Sequence, residues 1–254
     1  MTEKRFAGKT VLVTGGSRGI GRACAIAFAK NGADVAINYI KSEDEAKEVM
    51  RAAEDAGVKS QIFRADTSKS SEVGAMVDAV FSGFGKIDIL VNNAGVIKRT
   101  PFLQISEEEW DWIVKVDLKG YFLVGQTVAR HMVEEKIRGS IVNISSNNQE
   151  RVAANVAHYN VAKAGVAMLT KSMALELAPY GIRVNNVAPG LTETDLNRKD
   201  IANREWLEGR MARIPLKIIA TPEDVTGAVL FLASDDSKLT TGSTVWTDAG
   251  GMVS

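Results

Sequence analysis

Thr10-Val-Leu-Val-Thr14-Gly-Gly-Ser-Arg-Gly-Ile-Gly21 decides the fold. Its first five residues form a short apolar, β-branched run of the kind that makes a buried strand. The chain then turns through glycines into a helical pattern from about Ile20 to Lys30, which Asn31-Gly32 stops. A strand that ends in a glycine loop opening a helix is a natural cradle for a pyrophosphate. Gly15, Gly19 and Gly21 let the backbone turn sharply and approach the phosphates, and the helix start offers free N–H groups and a favourable dipole. Glycines also make plain tight turns, but their place at a strand-to-helix junction favours phosphate binding.

Outward from this joint, strand and helix alternate along nearly the whole chain. Strands are expected at Asp34–Asn38, Ser60–Arg64, Ile87–Val91, Gly139–Ser145, Ile182–Val187 and Thr244–Thr247. Helices are expected from Glu43 to Ala56, from Ser70 or Ser71 toward Phe84, from about Glu107 to Glu134 as one long element, from near Tyr159 to about Pro179, and from Pro222 to Leu232. Alternation with nearly continuous apolar strands means an α/β, doubly wound parallel sheet of seven strands with helices on both faces. No linker, repeat or composition shift divides residues 1–254, so a single domain is expected. The charged stretch 190–215 follows the C-terminal end of a strand, where open sheets of this kind bind ligands. It reads as a lid over the ligand rather than a solvated excursion.

Composition narrows the function classes. Hydrophobic residues make up 45% and charged residues 24%, an ordinary globular mix, and Lys+Arg equals Asp+Glu at 31 each. A grip on nucleic acid or an anionic membrane would call for a basic excess, so neither partner is expected. Cys24 is the only cysteine, which excludes an intrachain disulfide and points to a reducing, cytoplasmic setting. In Arg-Ala-Cys-Ala-Ile-Ala-Phe it reads as a small packed position. No apolar run approaches the roughly 18 residues of a membrane span, and MTEKRFAGKT has no signal-peptide core. His131 and His158 are too few and too far apart for a metal site, and both read as solvated histidines, with His158 noted because it adjoins Tyr159.

The candidate chemistry lies in Tyr159-Asn-Val-Ala-Lys163, with Ser146 thirteen residues before it. Residues four apart share a helix face, so phenol and ammonium can enter one site. The cation favours phenolate and should draw the tyrosine below its usual value of about 10. Tyr159 is then a general acid or base for a carbonyl/alcohol pair, with Ser146 bonding the same substrate oxygen. Ser145 reads as a strand-end hydrogen bonder.

These residues together resemble the short-chain dehydrogenase/reductase family: the Gly-x-x-x-Gly-x-Gly spacing of Gly15, Gly19 and Gly21, Asn92-Asn-Ala-Gly95 after the fourth strand, Ser146, Tyr159 and Lys163, and Pro189-Gly190 after the sixth. The resemblance runs from about Lys9 to Gly250. It implies a Rossmann-type fold and hydride transfer between an NAD(P) cofactor and a secondary alcohol or carbonyl. It also implies cofactor contacts from Gly15, Ser17, Arg18, Gly19, Ile20, Gly21, Asn38, Asp66, Thr67, Asn92, Ala94, Gly95, Tyr159, Lys163, Pro189, Gly190, Thr192 and Thr194. Among these, Asp66 and Thr67 face the adenine, Asn92 its ribose, Lys163 the nicotinamide ribose and Thr194 the nicotinamide amide. Relatives are usually homotetramers packed through the long helix and the Tyr159 helix; Trp112, Tyr121 and Phe122 suit either such an interface or the core.

Asn38-Tyr39-Ile40-Lys41 offers no carboxylate to the adenosine ribose, while Arg18 could pair with a 2′-phosphate or simply be an exposed loop arginine. NADP(H) is therefore expected in preference to NAD(H). Two positions depart from the family pattern. Asp117 replaces an asparagine that supports a water chain to the lysine, and enters as a candidate catalytic residue; Asp248-Ala249-Gly250 replaces Asp-Gly-Gly. For substrate, Thr194–Asp200 through Arg213-Ile-Pro215 resembles aldose 1-dehydrogenases, and Ser146-Asn-Asn-Gln-Glu150 is polar enough for hydroxyl-rich ligands, though polar loops are also merely solvated. The alternative is a 3-oxoacyl-[acyl-carrier-protein] reductase, for which Lys98-Arg99 and Arg130 would have to meet an acidic carrier rather than be ordinary surface charges. A third possibility is a non-catalytic NADP(H) sensor, favoured only by Asp117.

Overall fold

The strands of the computed structural model, which describes residues 4–253, form one sheet. Residues 1–3 and 254 of the expected domain lie outside the described residues. The strands are β1 (Thr10–Val13), β2 (Asp34–Tyr39), β3 (Ser60–Arg64), β4 (Ile89–Asn92), β5 (Ser140–Ile144), β6 (Arg183–Pro189) and β7 (Thr244–Thr247). All pair in parallel, in the order β3-β2-β1-β4-β5-β6-β7. The chain leaves β1 toward β2 and β3, then crosses back to β4 on the other side. That reversal opens a crevice above the C-terminal ends of β1 and β4.

Burial on both faces explains the unbroken apolar runs. In β1, Val11 and Val13 enter one core and Leu12 the other; in β5, Val142 and Ile144 oppose Ile141. The first core is covered by α1 (Gly19–Lys30), α2 (Glu43–Asp55) and α9 (Pro222–Ala233), through Phe28, Val49 and Val229. The second is covered by α3 (Ser70–Phe84), α5 (Gly120–Glu134) and α6 (Ala157–Leu177), through Val77, Val128 and Ala174. Cys24 is fully buried in the first core, and burial pushes its thiol up to about 12, so it packs as an inert small side chain.

Three local features bear on the site. The expected helix 107–134 is divided into α4 (Glu107–Val114), a π-helical turn (Lys115–Lys119) and α5. A π turn inserts one extra residue and rotates the face that follows; here it carries Asp117 into the interior at 0% exposure. The stretch 190–215 contains two short helices, α7 (Arg198–Ile201) and α8 (Arg204–Met211). Finally, β6 extends through Pro189, and a Thr221–Asp224 capping box starts α9. Among the described residues no helix is long and apolar enough to cross a membrane.

Candidate active site

The glycine loop is held open by its own backbone. Gly15 and Gly19 have φ of 60° and 54°, and a Cβ on Gly15 would stand 3.0 Å from the Cα of Ala94. Asn38 at the end of β2 fixes the loop: its Oδ1 accepts from the Gly15 N–H at 3.2 Å, and its Nδ2 donates to the carbonyls of Ala65 (3.0 Å) and Phe63 (3.3 Å). The first turn of α1 contains no acidic residue, so its dipole and free N–H groups face the crevice uncompensated. Arg18 precedes that turn and is exposed.

A cavity of about 690 Å³ runs from Tyr39–Ser42 and Asp66–Ser68, over the glycine loop and residues 93–97, to Ser146 and Tyr159. Of the expected cofactor contacts, Gly15, Ser17, Arg18, Gly19, Ile20, Asn38, Asp66 and Thr67 line its first half. Ala94, Gly95, Tyr159, Pro189, Gly190, Thr192 and Thr194 line the second. Gly21, Asn92 and Lys163 do not line it. Gly21 lets α1 close on the loop, since a Cβ there would lie 2.3 Å from the Gly15 carbonyl oxygen. Asn92 is 1% exposed, and its Nδ2 donates to the Tyr121 carbonyl at 2.9 Å; the neighbouring Asn93 faces the cavity instead. A long cavity, a bare helix N-terminus and glycines where side chains would intrude fit a dinucleotide.

At its inner end, Ser146, Tyr159 and Lys163 come together from β5 and α6. The Ser146 hydroxyl stands beside the Tyr159 phenol, where it acts to lower the phenol's pKa, and accepts from the Asn148 N–H at 3.1 Å. Lys163 is 3% exposed. Its Nζ donates to the Tyr121 hydroxyl (3.1 Å) and the Ile144 carbonyl (3.3 Å), and lies 5.5 Å from the Tyr159 ring centroid. Tyr121, which the sequence left between core and interface, is buried in the core with its hydroxyl donating to Ile144 O at 2.7 Å. Asp117 completes the group: Oδ1 accepts from the Val96 N–H at 2.8 Å, and Oδ2 meets the Lys163 ammonium at 3.3 Å as an ion pair, with no other hydrogen-bond partner.

The electrostatics correct one expectation. Burial of the Tyr159 phenol raises its pKa; Lys163 opposes that rise and Asp117 adds to it, leaving the net shift upward instead of below the usual value. Burial works against the Lys163 charge, but Tyr121, Asp117 and Tyr159 more than offset it and hold the ammonium protonated. Burial also lifts the Asp117 carboxyl, with Lys163 and the Val96 N–H pulling against it. Tyr159 is thus a phenol at neutral pH, next to a cation whose charge is partly cancelled by a carboxylate.

His158 overturns the reading of it as a solvated residue. It is fully buried; its Nδ1 accepts from the Tyr159 N–H at 2.9 Å, so its Nε2–H points to Glu109 Oε1 at 3.0 Å. Hydrogen bonds from Lys98, Thr100 and His158, in that order, bring Glu109 down to about 2. A strap from the 98–100 loop through α4 therefore fixes the backbone that carries Tyr159. His131 lies at the surface, stacked on Phe81 at 4.4 Å between ring centroids. Ser145 donates to Gln149 Oε1 at 2.6 Å, a strand-end role as expected.

Beyond Tyr159 the cavity is lined by residues from 190–215. Arg99 makes a two-pronged ion pair with Asp200 (2.8 Å for each contact) and lies over the Trp206 ring at 5.1 Å, with Arg210 over the same ring at 5.7 Å. Trp206 and Arg210 line the cavity and were not legible as site residues, because only α8 and its packing on Arg99 bring them there.

This fold and site define a nicotinamide-dependent oxidoreductase, and comparison with known proteins gives the family. Residues 15–252 match the family described as enoyl-(acyl carrier protein) reductase. The chain is 41% identical over 243 residues to 3β-hydroxysteroid dehydrogenase 1 of Eggerthella lenta, covering 96% of this chain and 93% of that one. It is 39% identical to the 3-oxoacyl-[acyl-carrier-protein] reductase of Staphylococcus epidermidis (95% and 98% covered). It is 36% identical to the L-rhamnose 1-dehydrogenase (NADP(+)) of Thermoplasma acidophilum (98% of each). Among solved structures it is similar to a short-chain type dehydrogenase/reductase from Mycobacterium marinum, at 36% identity, 99% and 98% coverage and a TM-score of 0.94. Another, from Agrobacterium tumefaciens and solved with NADP bound, is 31% identical over 100% of each chain, with a TM-score of 0.92. The chain belongs to the short-chain dehydrogenase/reductase family, whose members bind a nicotinamide cofactor and interconvert alcohols and carbonyls.

Proposed function

We propose that this chain is an NADP(H)-preferring dehydrogenase/reductase whose substrate is a small hydroxyl-rich molecule of the sugar class. The observation that carries the proton chemistry is the Ser146–Tyr159–Lys163 cluster, with the ammonium under the phenol ring. When bound, the nicotinamide supplies the two-electron carrier that takes hydride from the alcohol carbon or returns it to the carbonyl carbon. Ser146 donates its hydroxyl hydrogen bond to the substrate oxygen. In oxidation Tyr159, as phenolate, takes the proton from that oxygen as the carbonyl forms; in reduction the phenol returns it. Lys163 stabilises the phenolate through its charge. Asp117 holds Lys163 at that post, and Gly15–Gly21 take the pyrophosphate.

The preference for NADP(H) rests on the absence of a carboxylate from Asn38 to Lys41 and on Arg18, exposed beside the first turn of α1. Arg18→Ala is expected to raise the KM for NADP(H) about tenfold or more and leave that for NAD(H) little changed, a size typical of one charge-assisted phosphate contact. Equal use of both cofactors by the parent enzyme would contradict the preference.

The sugar class is favoured over the carrier-bound thioester by how the basic residues near the cleft are spent. Lys98 is paired with Glu109, and Arg99 with Asp200, so neither is free to meet an acidic carrier. Asn147, Asn148, Asn197 and Asp195 line the cavity instead and suit hydroxyl groups. Steady-state rates with aldoses, aldonates and alditols, set against a 3-oxoacyl thioester, test the choice; faster turnover of the thioester would reverse it. The buried Cys24 thiol suits a reducing cytoplasm, and residues 190–215 act as a lid on the substrate. The enzyme is a homotetramer packed through α5 and α6.

A further inference from the structure

Arg210 is a half-buried cation in an unbalanced place. It stands one turn after Trp206 on α8, lines the cavity, and no carboxylate lies within ion-pairing distance of it among the described residues. The same indole already carries the Arg99 guanidinium at 5.1 Å. Burial disfavours the Arg210 charge, and the like charges of Arg99, Arg151 and Arg213 disfavour it further. The carboxylate that acts in its favour is Asp200, and both oxygens of Asp200 are engaged by Arg99. Asp248 lines a small side cavity with Arg210, Arg151 and Arg213, and its Oδ1 accepts from the Gly250 N–H at 3.1 Å. Arg151 is turned to the backbone carbonyls of Gly251 and Arg213.

Of the two guanidiniums on the Trp206 indole, Arg99 has its carboxylate in Asp200, whereas Arg210 has none within ion-pairing distance among the described residues. It does not serve the cofactor phosphates in our assignment, because those lie at the glycine loop and Arg18. Arg210 instead adjoins Asn147 and Asn148, directly after Ser146, on the substrate side. A planar fork of donors there matches an oxyanion in two-pronged fashion.

We propose that the substrate carries an oxyanion, a carboxylate or a phosphate, at one end of its hydroxylated carbon chain, and that Arg210 binds it while Ser146 and Tyr159 hold the reacting hydroxyl. This rests on the sugar-class reading and narrows it to sugar acids or sugar phosphates. The anion balances the Arg210 charge. A neutral sugar leaves Arg210 desolvated and unpaired.

The test compares C5 and C6 aldonates, sugar 6-phosphates and the matching alditols as substrates, and as ligands of the NADP-loaded enzyme by calorimetry. An anionic series is expected to exceed its neutral counterparts at least about tenfold in kcat/KM or in affinity, the worth of one charge-assisted contact. The aldonate and phosphate arms identify which anion it is. Arg210→Met should abolish that advantage mainly through KM. Arg204→Met, an exposed residue on the same helix paired with Glu208, should keep it. The anion's KM should also rise with ionic strength. Alditols that bind and react as well as both anionic series, or an advantage that survives Arg210→Met, overturn the anion site while leaving the sugar-class reading intact. Calorimetry that detects neither anion overturns it as well. Exclusive turnover of a thioester overturns the sugar-class reading itself.

Discussion

A carboxylate with no solvent exposure stands 3.3 Å from the ammonium expected to tune Tyr159. An amide at position 117 would leave that ammonium's field undiminished; aspartate cancels part of it, and so Asp117 pushes the phenol upward. Alcohol oxidation needs the phenolate, and the phenolate fraction grows as pH rises through the Tyr159 pKa. Asp117→Asn keeps the shape and removes the negative charge, so the rising limb of kcat/KM for oxidation should move to lower pH. A pH–rate profile checks this, and an unchanged or more alkaline limb contradicts the ion pair. At this scale the sequence was partly transparent. Tyr159, Lys163 and Ser146 were readable because helical periodicity and strand-end position are local. Tyr121 and His158 were not, because each acquires its role from a residue distant in the chain, Lys163 and Glu109 respectively.

Among the elements, strands and helices were legible from apolar runs and glycine stops, whereas the π turn at Lys115–Lys119 was hidden inside one continuous helical pattern. A single inserted residue leaves the periodicity of a 28-residue span (107–134) nearly intact, and only the buried pairing of Asp117 rewards it. The turn after β7 holds a cost that the sequence did signal. Ala249 replaces the glycine of the family pattern and adopts φ 53°, a left-handed backbone that an alanine Cβ opposes. Ala249→Gly should therefore relieve strain and stabilise the fold by about 1 kcal/mol, net of the entropy glycine adds to the unfolded chain. Denaturant unfolding measures it; a destabilised variant would mean that the turn carries no strain.

The whole molecule presents a stripe that its own core does not use. Val161, Met168 and Leu175 recur every seven residues along α6 and are 50%, 62% and 79% exposed, while Phe122 (42%) lies on α5, which packs with it. A second copy of the same helices would cover such a stripe, as expected of a homotetramer. Light scattering on eluted protein should give four times the chain mass, and Met168→Glu should lower it by burying a charge at each contact; a monomeric parent protein contradicts the assembly. The parallel sheet with helices on both faces was legible from alternation, since only parallel strands buried on both faces read as unbroken apolar runs; its strand order was not. The substrate end was not, because Arg99, Trp206 and Arg210 meet through packing that no local pattern records.

The central claim is that Tyr159 moves the proton while the rest of the chain binds and positions. Its most direct measurement is the turnover of Tyr159→Phe at saturating NADP(H), with cofactor affinity titrated on the same sample. The account predicts a fall in kcat of about 100-fold or more, the usual worth of a positioned acid or base, with cofactor binding preserved. Turnover close to that of the parent enzyme would contradict it.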